Sequence, residues 1–310
     1  MKQKYQDIIQ EVQKSINATV SMSRELGTGW STEEKLYIKD EYGREFLVRV
    51  SPYSELDKWK YNFCLSQNFY KENICMAKPL IFTTVSDKYI ITILTWIEGE
   101  ELRDNFQLFT YSQHYNLGIE AGKNLKILHT DQKCRTNQRW FEMYSDKIDK
   151  KLYNYNKCNL KFKDDTLIIK FINSNIDLLK KRPVILQHGD YHDGNLIVDK
   201  NGGLGIIDYN RIDWGDPWQE FDKLIWTLLY SEVFPKGMID GYFNCKVPIE
   251  FFQALALYSC VILISNLAWA VKYNKKDQVS KVMRQKDNIL MWYRRFSDVI
   301  PEWYKSCSIY

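Results

Sequence analysis

The sequence is poor in glycine and proline, and its cysteines and histidines are few and scattered. With 14 Gly and 7 Pro in 310 residues, the chain does not have the composition of a disordered or collagen-like protein. The 7 Cys are odd in number and form no C-x-x-C pair, which argues against a disulfide framework and a zinc site. The 4 His leave little material for a metal site built on imidazole. We therefore expect a globular chain, 45% hydrophobic, that is held together by its core.

Charge and hydropathy argue against nucleic-acid and membrane partners. The net charge of +4 falls short of the clustered basic excess that nucleic-acid binding requires. The polar N-terminus, Met1 to Ser15, has no apolar signal-peptide core, so we expect a cytoplasmic protein. The uncharged stretch from Phe251 to Val271 is long enough to span a bilayer, but polar residues interrupt it and no second such stretch exists. We interpret it as a helix buried in a helical domain.

The chain changes from strand-like to helix-like patterns near residue 98. Four runs before that point have strand character: 34–39, 44–50, 79–84 and 88–96. The turn cluster Asp40 to Gly43 joins the first two and predicts a hairpin. Long segments with helical periodicity follow residue 98. The patterns predict an α+β protein with a small β-rich domain, residues 1–98, and a larger, mainly helical domain, residues 99–310.

A strand-rich interlude, Val184 to Asp208, interrupts the helices and contains the residues of most chemical interest. Two apolar strands, 195–198 and 204–207, are joined by a turn with the sequence DKNGG. Such a hairpin brings Asp190, Asn195 and Asp208 to one end of two adjacent strands. Their oxygens are hard ligands, which suit Mg²⁺ far better than zinc.

The polar residues of the interlude have the spacing of a known catalytic loop. His188, Asp190 and Asn195 follow the H-x-D-x-x-x-x-N pattern of protein kinases, with Gly189 in place of the kinase Arg. Asp208, 18 residues beyond Asp190, stands where a kinase has its second metal-binding Asp. Phosphoryl transfer requires a carboxylate that orients and deprotonates a hydroxyl, and Mg²⁺ that neutralises phosphate charge. The pattern supplies both.

The segment HGDYHDGN, followed by GIIDYNRIDWGDP, resembles the aminoglycoside phosphotransferase family of small-molecule kinases. The resemblance covers nearly the whole chain, including the Gly27 to Ser31 loop, the strand around Arg49, the Leu94 to Glu101 linker and the segment from Gly215. It implies a two-lobed, protein-kinase-like fold and an enzyme that uses Mg²⁺ to transfer the γ-phosphate of ATP or GTP. The acceptor would be a small-molecule hydroxyl, with an aminoglycoside-type antibiotic, and hence resistance, as the first candidate. The alternatives are a kinase of a metabolite, such as an amino alcohol or a sugar, and a degenerate kinase-like nucleotide-binding protein.

The resemblance also implies roles for residues of the interlude. Asp190 would be the catalytic base, and Asn195 and Asp208 would be the Mg²⁺ ligands. His188 would orient the loop by hydrogen bonding. No partner is implied beyond the nucleoside triphosphate and the acceptor, and no oligomeric state.

Three further residues of this region have open interpretations. Arg211 either approaches the transferring phosphate or forms an ion pair with Asp213 or Asp216. His192 is interpreted as a packing residue of the loop, with an approach to phosphate or substrate as the alternative. We expect Asp193 to be a solvated loop carboxylate.

The implied nucleotide site begins at a turn and ends at the linker. The turn from Gly27 to Thr32 would cover the phosphates, with contacts from Gly29 and Ser31. Backbone groups of Thr95 and Ile97 would bind the base, because an edge segment leaves N–H and C=O groups unpaired.

Arg49 stands where the family has the lysine that contacts the α- and β-phosphates. Arginine keeps the charge and adds a planar donor fork. By the same resemblance, Asn62 stands where the family has the Glu that usually anchors this cation, so Glu55 or Asp57 would have to take its place.

The acceptor would lie between Asp190 and the helical lobe. Family members that bind polycationic aminoglycosides line this cleft with carboxylates. The candidates here are Asp213, Glu220, Asp222, Glu232 and Asp240. The residues from Asp216 to Asp222 have an alternative role as structural caps of the helix that begins there.

Overall fold

The computed structural model describes residues 2–27, 33–130 and 139–306, which form two compact units. The N-terminal unit contains the residues up to Glu100 together with Asn195–Ile212. The C-terminal unit contains Glu101–Gly194 and the residues from Asp213 onward. The α+β fold class is confirmed. The sequence predicts one domain boundary, near residue 98. In the structure the chain passes between the units three times, because Asn195–Ile212 returns to the N-terminal unit.

The N-terminal unit is a five-stranded antiparallel sheet with two helices. Its helices are α1 (Lys2–Ile16) and α2 (Leu56–Phe69), and its strands are β1 (Val20–Leu26), β2 (Glu34–Asp40), β3 (Glu45–Pro52), β4 (Pro79–Val85) and β5 (Tyr89–Thr95). The strand order is β1-β2-β3-β5-β4. The β2–β3 hairpin forms where the alternating pattern and the turn cluster predicted it. The helix α1 and the largely exposed strand β1 were not predicted, because the sequence of this segment is mostly polar.

The core of this unit forms between α1 and the sheet. Ile8, Val12 and Ile16 recur every four residues along α1, so they share one face of the helix. They pack against buried side chains of the sheet, among them Ile38 of β2 and Val48 of β3. This packing fixes β2 and β3, the two strands that carry the cations described below.

The interlude forms the predicted hairpin, which belongs to the N-terminal unit. Its strands are β8 (Leu196–Val198) and β9 (Leu204–Ile206), which pair antiparallel with Leu196 opposite Ile206. The backbone of Ile206 exchanges two hydrogen bonds with the segment before β4: its N–H donates to Cys75 O (2.9 Å), and its carbonyl accepts from Ala77 N (3.2 Å). These bonds attach the hairpin to the unit.

The C-terminal unit is mainly helical. Its helices are α3 (Leu102–Asn105), α4 (Tyr111–His129), α5 (Trp140–Asn156), α6 (Asp165–Asn175), α7 (Leu224–Thr227), α8 (Val233–Phe243), α9 (Ile249–Lys272), α10 (Lys276–Trp292) and α11 (Glu302–Ser306). Short 3-10 helices occur at Ile176–Lys181 and Gln219–Lys223. Strands β7 (Ile185–Gln187) and β10 (Asp213–Gly215) pair antiparallel. The two-residue strand β6 (Glu100–Glu101) contains the last residue of the first N-terminal segment and the first residue of the C-terminal unit.

Helix α9 is the predicted apolar helix. It is long and apolar enough to cross a membrane, and among the described residues it is the single helix with that property. Within the fold, 72% of its most apolar window is buried. Residues from Phe251 to Ile264 are buried on nearly every side, which is typical of a central core helix.

Helices α4 and α8 approach each other so closely that their backbones touch. A Cβ atom on Gly122 of α4 would lie 2.0 Å from Met238 O, and one on Gly118 would lie 2.3 Å from Phe234 O. Glycines on α8 make the reciprocal approach: a Cβ on Gly241 would lie 2.2 Å from Ile119 O. Glycine is therefore required at these positions for the two helices to pack at this distance.

Candidate active site

The β8–β9 hairpin places Asn195 and Asp208 at the same end, as the sequence pattern predicted. Asn195 immediately precedes β8, and Asp208 follows β9 by two residues. The N–H of Ile207 donates to Asn195 O over 3.1 Å and extends the pairing beyond the strands. Asp208 has a φ of +59°, in the left-handed region that non-glycine residues rarely adopt. Such conformations cluster at functional sites, so the backbone as well as the sequence points to Asp208.

Two cations hold the carboxylate of Asp208. The guanidinium NH1 of Arg49 lies 2.8 Å from Asp208 Oδ1, and the ammonium Nζ of Lys35 lies 3.2 Å from Asp208 Oδ2. Burial alone would raise the pKa of Asp208. The two positive charges outweigh burial and hold its pKa well below the usual range, so Asp208 is ionised.

Arg49 is anchored by Glu33, a residue for which the sequence analysis predicted no role. Its Nε and NH2 donate to Glu33 Oε1 (3.3 Å) and Oε2 (2.5 Å), a bidentate pair whose side chains are 6% and 5% exposed. Glu33 also accepts hydrogen bonds from Ser51 Oγ (3.2 Å) and Asn210 Nδ2 (2.9 Å). Burial lowers the pKa of Arg49, but Asp208 and Glu33 reverse that effect and raise it.

The predicted replacements for the usual anchor are wrong. Glu55 accepts hydrogen bonds from Lys58 and Trp59, and Asp57 is exposed. Asn62 donates through Nδ2 to the carbonyl of Asn210 (2.8 Å).

A signal for the true anchor was present in the hairpin register. Counting outward from the turn places Lys35 directly opposite Arg49. Two like charges at opposite positions of a sheet repel each other unless carboxylates lie beside them. Glu33 lies two residues before Lys35, so alternation along an extended segment places its carboxylate on the same face as the two cations.

The other predicted nucleotide contacts have different outcomes. Gly29 and Ser31 lie outside the described residues. Thr95 was expected to leave its backbone unpaired, but its N–H donates to Lys78 O (3.0 Å), because β5 continues its pairing to the end of the strand. Ile97 follows β5 in an irregular segment, and its side chain packs at Gly205, where a Cβ atom would lie 2.6 Å from Ile97 Cγ2.

In the C-terminal unit, a buried carboxylate holds the start of the candidate catalytic loop. Glu220 accepts hydrogen bonds from the backbone N–H of His188 (2.7 Å) and of Gly189 (2.8 Å). Burial would raise the pKa of Glu220, but His129 and His188 lower it. The side chain of His188 is itself fully buried, and its Nδ1 accepts from the N–H of Asp190 (3.2 Å). His188 thus holds the backbone of Asp190, and its role in orienting the loop for catalysis stays a prediction.

Asp190 is only partly accessible, and its neighbours are charged or polar. Its side chain is 14% exposed, and its Oδ1 lies 3.6 Å from Nε2 of His192. Asp193, which was expected to be solvated, is fully buried. The cause is Arg103 of α3, whose Nε donates to Asp193 Oδ2 over 2.7 Å. The sequence around Asp193 does not indicate that Arg103 is its partner, because the two residues are 90 positions apart in the chain.

The structure changes the interpretation of the acceptor carboxylates. Three of the five candidates, Glu220, Asp222 and Asp240, are buried and already bonded. Asp222 accepts from Lys223 Nζ (2.7 Å), and Asp240 accepts from the hydroxyls of Tyr115 (2.9 Å) and Tyr304 (2.5 Å). These bonds make the three carboxylates structural. The two that remain exposed are Asp213 and Glu232.

Arg211 is exposed, and the two carboxylates considered as its ion-pair partners are bonded to other residues. Asp216 accepts a bidentate pair of hydrogen bonds from Arg182, at 2.8 Å and 2.7 Å. Asp213 lies 3.7 Å from the ammonium of Lys147. Both interpretations of Arg211, an approach to phosphate and an ion pair, stay predictions.

The residues at the hairpin end fit a magnesium ion. Asp208 is an ionised oxygen donor, and Mg²⁺ would take the place of Arg49 or Lys35 on one of its two oxygens. Asn195 adds an amide oxygen at the same end of the hairpin. Mg²⁺ is usually held by one or two protein oxygens together with water and phosphate oxygens. Across the part of the chain that the structure describes, no group of three His, Cys, Asp or Glu residues could hold a metal on its own, so a closed zinc-type site is not formed there.

Comparisons with known proteins identify the family and the fold. Residues 23–246 match the model of the phosphotransferase enzyme family. A thermostable mutant of aminoglycoside phosphotransferase APH(4)-Ia, in ternary complex with ADP and hygromycin B, has a TM-score of 0.67 at 15% identity, covering 94% of this chain and 99% of that one. The GDP complex of aminoglycoside 2'-phosphotransferase-IIIa has a TM-score of 0.68 at 15% identity, with 92% and 97% covered.

A third similar structure is the gentamicin–APH(2")-IIa complex, with a TM-score of 0.63 at 17% identity, covering 90% of this chain and 94% of that one. At these identities the likeness shows the fold. No curated protein matches the sequence.

Proposed function

The chain belongs to the phosphotransferase enzyme family, and we propose that it transfers the γ-phosphoryl group of ATP or GTP to a hydroxyl group of a small molecule, with Mg²⁺. The observation that carries the proposal is the state of Asp208. The backbone of Asp208 is in the left-handed region, and its ionised carboxylate is held at a hairpin end by one buried and one half-buried cation. Backbone conformations of this kind cluster at functional sites.

In the proposed reaction Asp190 is the general base. It accepts the proton of the acceptor hydroxyl while the hydroxyl oxygen bonds to the γ-phosphorus and the bond to the leaving nucleoside diphosphate breaks. His188 and Glu220 keep the backbone of this loop in place. Asn195 and Asp208 would hold Mg²⁺, which when bound neutralises charge on the phosphates.

Arg49 and Lys35 would supply positive charge to the nucleotide phosphates. Glu33 fixes the guanidinium of Arg49, so little rotamer freedom is left to lose when a phosphate binds. Lys35 lies directly across the hairpin from Arg49, which puts two cations side by side on the sheet. This arrangement favours an active nucleotide site over the degenerate binding protein, because the expected anchor is present on another residue.

For the acceptor we propose an aminoglycoside-type molecule as the first class to test. Similar structures contain hygromycin B and gentamicin, and the exposed carboxylates Asp213 and Glu232 could meet a polycation. Three candidate carboxylates are structural, which leaves fewer acidic contacts than the sequence predicted. A metabolite with an amino alcohol or sugar hydroxyl is therefore the second class.

An acceptor screen tests the proposal. The protein is incubated with Mg²⁺, with ATP and GTP in separate arms, and with a panel of aminoglycosides, amino alcohols and sugars. We expect mass spectrometry to detect one acceptor whose mass increases by a single phosphoryl group, in equal amount to the nucleoside diphosphate formed. Nucleotide binding with no phosphorylated product for any acceptor class would favour the degenerate binding protein.

A further inference from the structure

A second polar cluster lies at the loop that carries Asp190. It is formed by His192 and Asp193 of the loop, Arg103 of α3 and Thr227 of α7. Asp193 is fully buried at its centre and accepts three hydrogen bonds. Two come from Arg103, through Nε (2.7 Å) and NH2 (3.2 Å), and one comes from the hydroxyl of Thr227 at the end of α7 (2.5 Å). Asp193 therefore fixes the guanidinium of Arg103 in one orientation.

The fixed guanidinium determines the tautomer of His192. Its NH2 lies 2.9 Å from His192 Nδ1, and arginine has only hydrogen-bond donors to offer. The backbone N–H of Gly194 also donates to Nδ1, over 3.0 Å. With two donors directed at it, Nδ1 must be the unprotonated nitrogen. The neutral ring then carries its hydrogen on Nε2.

Glycine at position 194 makes this contact possible. A Cβ atom there would lie 2.9 Å from both Cζ and NH1 of Arg103, and 3.0 Å from Cε1 of His192. Any side chain would push Arg103 away from the imidazole. The rings of Trp226 and His192 pack edge to face, with 5.4 Å between ring centres. The imidazole is thus held by hydrogen bonds to one nitrogen and by packing against an aromatic ring.

The protonation state of His192 agrees with these contacts. Its side chain is 11% exposed, and burial lowers its pKa to about 4, with a further lowering from Arg103 and Lys223. Asp190 and Asp193 act in the opposite direction, but they do not restore the ordinary value. The ring is therefore neutral near pH 7.

We propose that His192 is a positioning residue for Asp190: its Nε2 lies 3.6 Å from Oδ1 of Asp190, and its N–H holds the carboxylate in the orientation that takes the proton of the acceptor. The inference rests on the proposed role of Asp190 as the base. Hydrogen bonds around a catalytic group are often long in the ligand-free protein and shorten when substrate binds, so 3.6 Å is a suitable starting distance. Arg103 and Asp193 act through His192, because they determine which of its nitrogens carries the hydrogen.

Nuclear magnetic resonance of the full chain with ¹⁵N-labelled histidine tests the geometry without an activity assay. Between pH 6 and pH 8, about the range in which an ordinary histidine titrates, we expect Nδ1 of His192 to give the signal of an unprotonated, hydrogen-bonded nitrogen and Nε2 that of a protonated one. Asp190→Asn should shift the Nε2 resonance and leave Nδ1 an acceptor. A protonated Nδ1, or an imidazolium at pH 7, would overturn the proposal.

Kinetics of two variants test the role. His192→Leu removes the donor and should lower kcat by about 10- to 100-fold, the worth of a hydrogen bond to a charged group, with the KM values for nucleotide and acceptor nearly unchanged. His192→Gln can place an amide N–H near the same point and should recover most of the loss. His114→Leu is the matched control, since His114 is also buried in this unit and bonds to Phe106 O and Ser231. Unchanged kcat in His192→Leu would refute the role, whereas full activity in Asp190→Ala would refute the proposed base instead.

Discussion

Glu33 makes it possible for the guanidinium of Arg49 to be buried and held in one orientation. A guanidinium that is 6% exposed would be strongly destabilising by itself, and Asp208 neutralises only one side of it. The bidentate contact from Glu33 supplies the remaining charge and the geometry. A residue outside the expected motif thus replaces the helix Glu that the sequence lacks at Asn62.

The first prediction is that Glu33→Ala destabilises the protein by about 3–5 kcal/mol, because it leaves a buried cation without its main partner. Chemical denaturation measures the free energy of unfolding. The control is Lys39→Ala, which removes one partner of the more exposed Lys39–Glu45 pair in the same sheet and should change stability little. Equal stability of the two variants would show that Arg49 does not depend on Glu33.

The second prediction concerns pH and His192. Its pKa lies at about 4 in the folded protein against an ordinary value of 6.5, so the unfolded chain takes up a proton in this range and the folded protein does not. The contribution of His192 to stability is therefore complete above pH 6.5 and is lost as the pH falls towards 4. The total loss is about 3 kcal/mol.

Unfolding free energies of the wild type and His192→Gln, measured from pH 7 to pH 4, check this prediction. The wild-type value should fall relative to that of the variant across the range, because the variant lacks the titrating ring. Parallel curves would mean that burial and the positive charges of Arg103 and Lys223 do not outweigh the carboxylates of Asp190 and Asp193, so that the ring does not stay neutral.

At the scale of elements, the β8–β9 hairpin brings the metal-binding candidates together. Its register, with Leu196 opposite Ile206, makes Asn195 and Asp208 neighbours although they are 13 residues apart in the chain. The far end of the hairpin carries another carboxylate, Asp199, which is exposed and accepts hydrogen bonds from the turn backbone. The hairpin thus allows a comparison between the proposed metal ligand and a structural aspartate.

The third prediction is that Asp208→Asn raises the Mg²⁺ concentration needed for half-maximal phosphoryl transfer, because a charged ligand becomes neutral. Asp199→Asn, at the other end of the same hairpin, should leave the Mg²⁺ dependence unchanged. Initial rates at a series of Mg²⁺ concentrations compare the two variants. Retained activity with wild-type Mg²⁺ dependence in Asp208→Asn would place the metal on other residues.

The fourth prediction concerns the packing of α4 on α8. Alanine usually stabilises a helix relative to glycine, but a Cβ on Gly122 would lie 2.0 Å from Met238 O. Gly122→Ala should therefore destabilise the protein by about 1–3 kcal/mol through overpacking. Gly27→Ala is the control, since a Cβ there meets no atom within 4 Å. A thermal midpoint for Gly122→Ala at or above that of the wild type would contradict the close packing.

At the scale of the whole molecule, the sequence predicted those hairpins and helices that local sequence patterns determine. Alternation and a turn cluster located the β2–β3 hairpin, and the DKNGG turn placed Asn195 and Asp208 at one end. The apolar helix α9 followed from its composition. These features depend on residues that are close together in the chain, so they can be recognised from the sequence alone.

Contacts between distant residues could not be predicted in the same way. Arg103 buries Asp193 from 90 positions away, and Glu220 holds the loop at His188 from 32 positions away. Both carboxylates resemble surface residues in the sequence, because nothing local reveals a buried partner. The assignment of Asn195–Ile212 to the N-terminal unit likewise depends on backbone bonds to Cys75 and Ala77.

The central claim is that Asp190 is the base of a phosphotransferase, and one measurement tests it most directly. With the acceptor found by the screen, phosphorylated product is quantified over time for the wild type, Asp190→Ala and the control Asp177→Ala, whose exposed carboxylate pairs with Lys180. We expect Asp190→Ala to fold and bind nucleotide as the wild type does, yet to form product about 10²- to 10⁴-fold more slowly, with the control unchanged. Product formation by Asp190→Ala at the rate of the wild type would contradict the account.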